Sequence, residues 1–343
     1  MERLELVVVQ LEEAKRLIAT GRAPHLRLAF ILLDNAVEVM LHRLVQQALQ
    51  FNDMQAGLLH KLRELEQAGV DDEELRELIA QTQSAVVSER DVRTLEHVFD
   101  EKALFLVRRG LLSQELAPVL KKLHQYRNET YHRDRLRPEI LDPAVRIYFD
   151  VACTVLESYS PFSLTYSSTF SPGPELERFT GARPTPLAGH LPKTVAAQLR
   201  AELDLDPAGV RSALSSYLLA RLDSVDERLV SVDALPWLVA GDALRLAQLP
   251  RDRPVDLEKS RSRPGTHRPA DLVRWRTRAE ALAVSEADKH AIFTEFAAIE
   301  DEFEELETLI HMAADQIEDG VEEGLRQVAE LAQCEDFEQG AQG

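Results

Sequence analysis

The chain has 343 residues, of which 45% are hydrophobic, 29% charged and 6% aromatic, and its formal net charge is −19. These values exclude fibrous, disordered and membrane-spanning classes and fit an ordinary soluble protein of two or three domains. Leu, Ala, Glu and Arg dominate, so the expected fold class is all-α. No apolar stretch approaches the length of a membrane span, roughly 20 residues. The opening Met1-Glu2-Arg3-Leu4-Glu5 lacks a signal-peptide layout, and Cys153 and Cys334 are too few and too far apart for a disulfide framework or a Cys-based zinc site. A cytoplasmic protein is expected.

In chain order, Leu4, Val8, Leu11 and Ile18 predict an amphipathic helix that ends at Gly21, and Pro24 opens a long apolar helix over 25–50. Asp34, Asn35 and Glu38 interrupt that helix as inward polar groups that need partners. Asp34 and Glu38, spaced i,i+4, either pair structurally with arginines or belong to a site. Helices over 54–68, 71–85 and 86–109 follow, then Gly110 and a helix over 113–132. A helix from Pro143 to Ser158 closes a five-helix antiparallel bundle over residues 1–160. Residues 161–193 are dense in Ser, Thr, Pro and Gly and predict a linker. A small helical domain is expected over 194–250, a basic linker over 251–278, and an acidic helical segment over 279–343. In that segment Ile292, Phe296, Ile299, Phe303, Leu306, Ile310, Ala313 and Ile317 keep a 4,3 spacing, which predicts a seam that packs inside the chain or coils with another.

One block carries chemistry: Arg127-Asn128-Glu129-Thr130-Tyr131-His132, at the end of the 113–132 helix. An Arg-x4-His spacing arises by chance about once in this composition. Only three Asn occur, at 35, 52 and 128, and requiring Asn after the Arg lowers the expectation to about 0.01. A histidine suits proton transfer because its ordinary pKa of ~6.5 lies near working pH. The arginine fork stays charged and stabilises developing charge on a phosphate. Asn128 can orient His132 or hold a phosphate or ribose oxygen. The structural alternative pairs Arg127 with a carboxylate such as Glu38 and leaves His132 capping a helix end.

Charge distribution supports a phosphate-bearing ligand. Residues 279–343 hold 2 basic against 19 acidic residues, whereas 121–137 carry Lys121, Lys122, Arg127, Arg133, Arg135 and Arg137 against Glu129 and Asp134. That local net of +4 is the expected landing site for RNA phosphates. The acidic segment could lie over this patch, dock a basic partner, or be only a solvated face. His124 and His132 lie eight apart without Cys or acidic residues at zinc spacing, so no metal is expected. The lack of a Walker A or Gly-x-Gly-x-x-Gly run disfavours nucleotide cofactors.

The Arg-Asn-x3-His block resembles the signature of the HEPN superfamily, and the apolar run Leu28–Met40 with its Asp34-Asn35 pair and Glu38 is similar to an early HEPN helix. The likeness covers about residues 1–160. It implies a HEPN-like bundle and a metal-independent endoribonuclease without cofactors, acting through the RNA 2′-hydroxyl to leave a 2′,3′-cyclic phosphate and a 5′-hydroxyl. Arg127, Asn128 and His132 would be its catalytic residues and Tyr131, Asp34, Glu38 and Lys102 supporting ones, with two copies completing one site across a homodimer. The setting implied is a toxin–antitoxin or antiphage system with an antitoxin or defence-complex partner. Where some relatives carry a modifiable Tyr two residues after the His, this chain has Asp134. The alternative is a non-catalytic RNA- or nucleotide-binding scaffold assembled through its C-terminal helix.

Overall fold

A computed structural model describes residues 2–70, 72–132, 137–159, 173–180, 190–203, 205–249, 257–262 and 265–340. Among these residues every regular element is a helix, and no strand occurs. They are α1 (Glu2–Ala19), α2 (Ala23–Leu49), α3 (Asn52–Gln67), α4 (Glu73–Ala85), α5 (Glu89–His97), α6 (Phe99–Arg108), α7 (Leu116–His132), α8 (Pro138–Ser158), α9 (Pro174–Thr180), α10 (Leu191–Leu203), α11 (Pro207–Asp233), α12 (Asp242–Ala247), α13 (Leu257–Arg261), α14 (Pro269–Val284) and α15 (Lys289–Gly340). The chain forms two compact units, one of residues 1–210 with 288–294 and one of 211–287 with 295–343.

The first unit is built around α2, which packs on α1, α6, α7 and α8. Its Leu33, Ala36, Val37, Met40 and Leu41 are fully buried, the spacing of a helix enclosed by neighbours. Gly21 takes φ +64 after α1, a conformation that Gly adopts without steric cost. Its N–H closes on the Ile18 carbonyl. Pro24 then starts α2 in its first turn, where the missing N–H is not needed.

Three boundaries differ from the sequence reading. The 86–109 segment splits at Val98, which is extended (φ −99, ψ 115) and turns α6 away from α5. Without Gly or Pro there, no sequence signal marks the break; it accompanies the burial of Leu95 and Phe99 on the two sides of the joint. α8 begins at Pro138 instead of Pro143, because Pro suits the first helical turn. The expected division at 160 gives way to one at 210: Leu191, Val195, Ala196 and Leu199 of α10 are buried, and α10 packs on α1, α8 and α9. α9 lies inside the expected linker, and α14 overlaps the expected basic linker.

The second unit resolves the choice left open for the C-terminal stripe. Phe296, Ile299, Phe303, Leu306 and Ile310 of α15 are all at most 2% exposed. Phe296 meets Tyr217 of α11 with ring centres 6.1 Å apart, and Phe303 meets Trp275 of α14 at 6.0 Å. Ile317 packs on a cluster of Val232, Leu238, Ala243 and Ala314. Ala314, not the expected Ala313, faces inward there. A straight α-helix drifts by roughly 20° per heptad from a strict heptad repeat, so a 4,3 extrapolation slips by one residue near its end. Trp237 is 59% exposed.

Candidate functional site

Asp34, on the buried face of α2, is fully inaccessible to solvent. A bare carboxylate there would be costly, so its partners define the region. Tyr148 of α8 donates its hydroxyl to Oδ1 at 2.6 Å, and His124 Nδ1 of α7 lies 2.8 Å from the same oxygen. Arg127 Nε stands 3.2 Å from Oδ2. The N–H is off the line of a hydrogen bond and neither buried atom has another partner, so this contact is a close ion pair rather than a bond. Burial, then the charge of Asp34, pushes the Tyr148 hydroxyl well above its ordinary value, so it keeps the proton that it donates to Asp34.

The face of α7 above this carboxylate carries His124, Arg127, Asn128 and Tyr131, positions related by i,i+3 and i,i+4 steps that share one side of a helix. Arg127 Nη1 donates to Asn128 Oδ1 at 2.9 Å, and its guanidinium lies 5.2 Å from the centre of the Tyr131 ring. His124 and Arg127 are 19% and 22% exposed, and Tyr131 is 58% exposed, so the face opens to solvent. Phe99 of α6 stacks flat on His124, centres 4.0 Å apart and planes within 3°. Arg27 of α2 donates to the Thr130 carbonyl at 2.9 Å and ties down the last turns of α7.

Of the expected site residues, Asp34, Arg127, Asn128 and Tyr131 thus converge. Glu38 pairs with Lys102 of α6 at 3.4 Å, and Lys102 is buried; the carboxylate held by Arg127 is Asp34, one turn earlier than Glu38. Asn35, expected inward, is exposed, because it lies ~100° around the helix from Asp34. His132 is the last residue of α7, and its side chain lies outside the described residues, as do Arg133 and Arg135. Among its described residues the +4 run does not form one continuous patch. Lys122 is buried, 5.3 Å from the centre of the Tyr126 ring. Arg137 binds Glu129 through Nε (3.1 Å) and Nη2 (2.8 Å) and lies 5.0 Å from the centre of the same ring. Both face inward where a phosphate does not reach, which corrects their reading as phosphate contacts. Lys121 is exposed and 3.7 Å from Asp100.

Sequence reasoning misses two constellations. It weighs His124 only as a metal ligand; a buried acid on α2 and a His three residues before the motif arginine are the available signal. The other is Asp150 of α8, 2.7 Å from Lys289 Nζ, 2.8 Å from His290 Nε2 and 2.9 Å from Arg200 Nε. Burial opposes ionisation here, but the hydrogen bonds of His290 and Lys289 and the charge of Arg200 outweigh it and hold the carboxyl down at about 2, as close cations do. The neighbouring Cys153 is buried, which pushes its thiol up to about 12 and leaves it inert.

Among the described residues no group of three or more His, Cys, Asp or Glu is arranged to hold a metal ion, and no helix is long and apolar enough to cross a membrane. A cleft of about 500 Å³ opens between Ser84, Val87, Asp91, Glu101, Arg108 and Arg109, and none of the motif residues lines it. Comparison with family models, with curated proteins and with solved structures finds no match to this chain.

Proposed function

We propose that this protein is a metal-independent endoribonuclease of the HEPN type, acting on RNA through the α7 face. The observation that carries the reading is the fixing of Arg127 by buried Asp34 and Asn128 while the guanidinium still reaches solvent. A pre-oriented arginine is suited to the charge that builds on phosphorus as the RNA 2′-oxygen attacks and the 5′-oxygen leaves. His132 moves protons in this scheme, Asn128 sets the arginine fork, and exposed Tyr131 offers a ring for an unstacked base. The HEPN resemblance adds the composite site across a homodimer and the toxin–antitoxin or antiphage setting.

Purified protein is expected to cut RNA in EDTA and to leave 2′,3′-cyclic phosphate ends, with Arg127→Ala and His132→Ala each abolishing cleavage. Cleavage unchanged in both variants rejects the mechanism. The second reading, a non-catalytic RNA-binding scaffold, draws on the same Asp34–Arg127 pair as a structural anchor. It prevails if expression of wild type and of the Arg127/His132 double variant is equally harmless and neither cuts RNA.

A further inference from the structure

We propose that His124, held by Asp34 and stacked on Phe99, takes the 2′-hydroxyl proton of RNA bound at Arg127; this rests on the ribonuclease reading above and adds a catalytic residue outside the Arg-Asn-x3-His block. Three observations converge on it. His124 Nδ1 lies 2.8 Å from Asp34 Oδ1. An ionised carboxylate only accepts hydrogen bonds, so this contact assigns the Nδ1 proton to the Asp34 side and leaves Nε2 as a basic lone pair. The flat stack on Phe99 fixes the plane of the ring. Arg127 hangs on the other oxygen of the same carboxylate, so a phosphate held by that guanidinium lies beside the imidazole whose tautomer Asp34 has set. Asp34 is then the positioning residue of both, the arrangement by which a buried acid orients a catalytic base. Exposure separates His124 from a core histidine: its side chain is 19% exposed, whereas that of Asp34 is 0%.

In the step proposed, Nε2 accepts the 2′-hydroxyl proton as the 2′-oxygen bonds to phosphorus. The bond from phosphorus to the 5′-oxygen breaks, and that oxygen takes a proton from His132. The atoms balance to a 2′,3′-cyclic phosphate and a 5′-hydroxyl, with no further reactant.

The test is His124→Asn beside His124→Ala in the full-length protein, read as cleavage of a labelled single-stranded RNA in EDTA. Asparagine places an N–H near the Nδ1 position, so it keeps the bond to Asp34 while removing the basic nitrogen. Both variants are expected to lose about 100-fold or more in rate, the range general-base catalysis supplies, with His124→Asn melting close to wild type. A His124→Asn protein that cuts within about 3-fold of wild type, while His124→Ala does not, makes the histidine an anchor and overturns the proposal. Equal cutting by all three overturns it as well. If wild type itself does not cut, the ribonuclease reading fails and carries this inference down with it, an outcome distinct from the other two.

Discussion

Asp34 in the first unit and Glu300 in the second are both fully buried carboxylates beside an arginine, yet their surroundings lead to different uses. Arg221 binds Glu300 and Glu307, lies over the rings of Tyr217 and Phe303 at 5.2 and 4.7 Å, and is itself 13% exposed. Burial opposes its charge, but the hydrogen bonds it donates to Glu307 and the charge of Glu300 more than offset this and hold the guanidinium protonated far above any accessible pH, as paired carboxylates do. That cation is enclosed by its own partners and joins α11 to α15. Around Asp34, His124 and Arg127 sit on one solvent-reaching face with an amide and a phenol beside them. A buried charge whose partners are enclosed joins helices; one whose partners reach water can also meet a ligand.

The contrast between the two carboxylates predicts a graded set of losses. Arg221→Ala takes the arginine away from the fully buried Glu300, and about 3–5 kcal/mol of stability should vanish in urea titration; the double change Arg221→Met with Glu300→Leu should recover most of it. A loss below about 1 kcal/mol would mean that the second unit does not depend on this pair. Asp34→Ala should cost less, about 1–3 kcal/mol, because His124 and Arg127 can turn to water and of the three partners only the Tyr148 hydroxyl is fully buried, yet it should reduce RNA cleavage far more than Arg221→Ala does. Equal cleavage by the two variants would erase the distinction drawn between them.

Asp150 gives a pH test inside the first unit. Its folded pKa of about 2 lies below the ordinary 3.8, so its contribution is present above pH ~4 and is lost as pH falls through 3 toward 2. Linkage puts the whole at about 2 kcal/mol, with about 1 kcal/mol gone by pH 3. Urea midpoints at pH 5 and pH 3 measure this, and Asp150→Asn should shrink the difference. Glu202 should show the smallest effect. Burial opposes its ionisation and hydrogen bonds from Arg178 and Lys15 outweigh it, lowering its carboxyl to about 2. Its side chain is nonetheless 31% exposed. Solvent screening should therefore keep Glu202→Gln within about 1 kcal/mol of wild type in the same titration.

Helix existence was legible because its signals are local. Apolar spacing, Gly21, Pro24 and Gly110 each act within a turn or two, and α1, α2, α3, α4 and α7 fall within a few residues of the expected spans. The Val98 break was not, since no local breaker stands there and the cause is burial on both sides. The boundary at 210 was hidden for a similar reason: Pro- and Ser-rich composition reports local backbone preference, whereas α9 and α10 pack on α1, at the opposite end of that unit's sequence. At the site, Arg127 and Asn128 stood out by spacing and rarity. His124 did not, because its meaning depends on Asp34, an acid on a different helix.

Composition and periodicity by themselves determined an all-helical chain, the place of its longest apolar helix and the concentration of acid after position 278, since these depend on residue type and on neighbours within a few turns. The tertiary structure alone decided that the C-terminal stripe packs internally, that Lys122 and Arg137 turn inward, and that Asp34 gathers His124, Arg127 and Tyr148 on one carboxylate. Burial and pairing of charge depend on which helices meet, and a single helix's sequence does not contain that information.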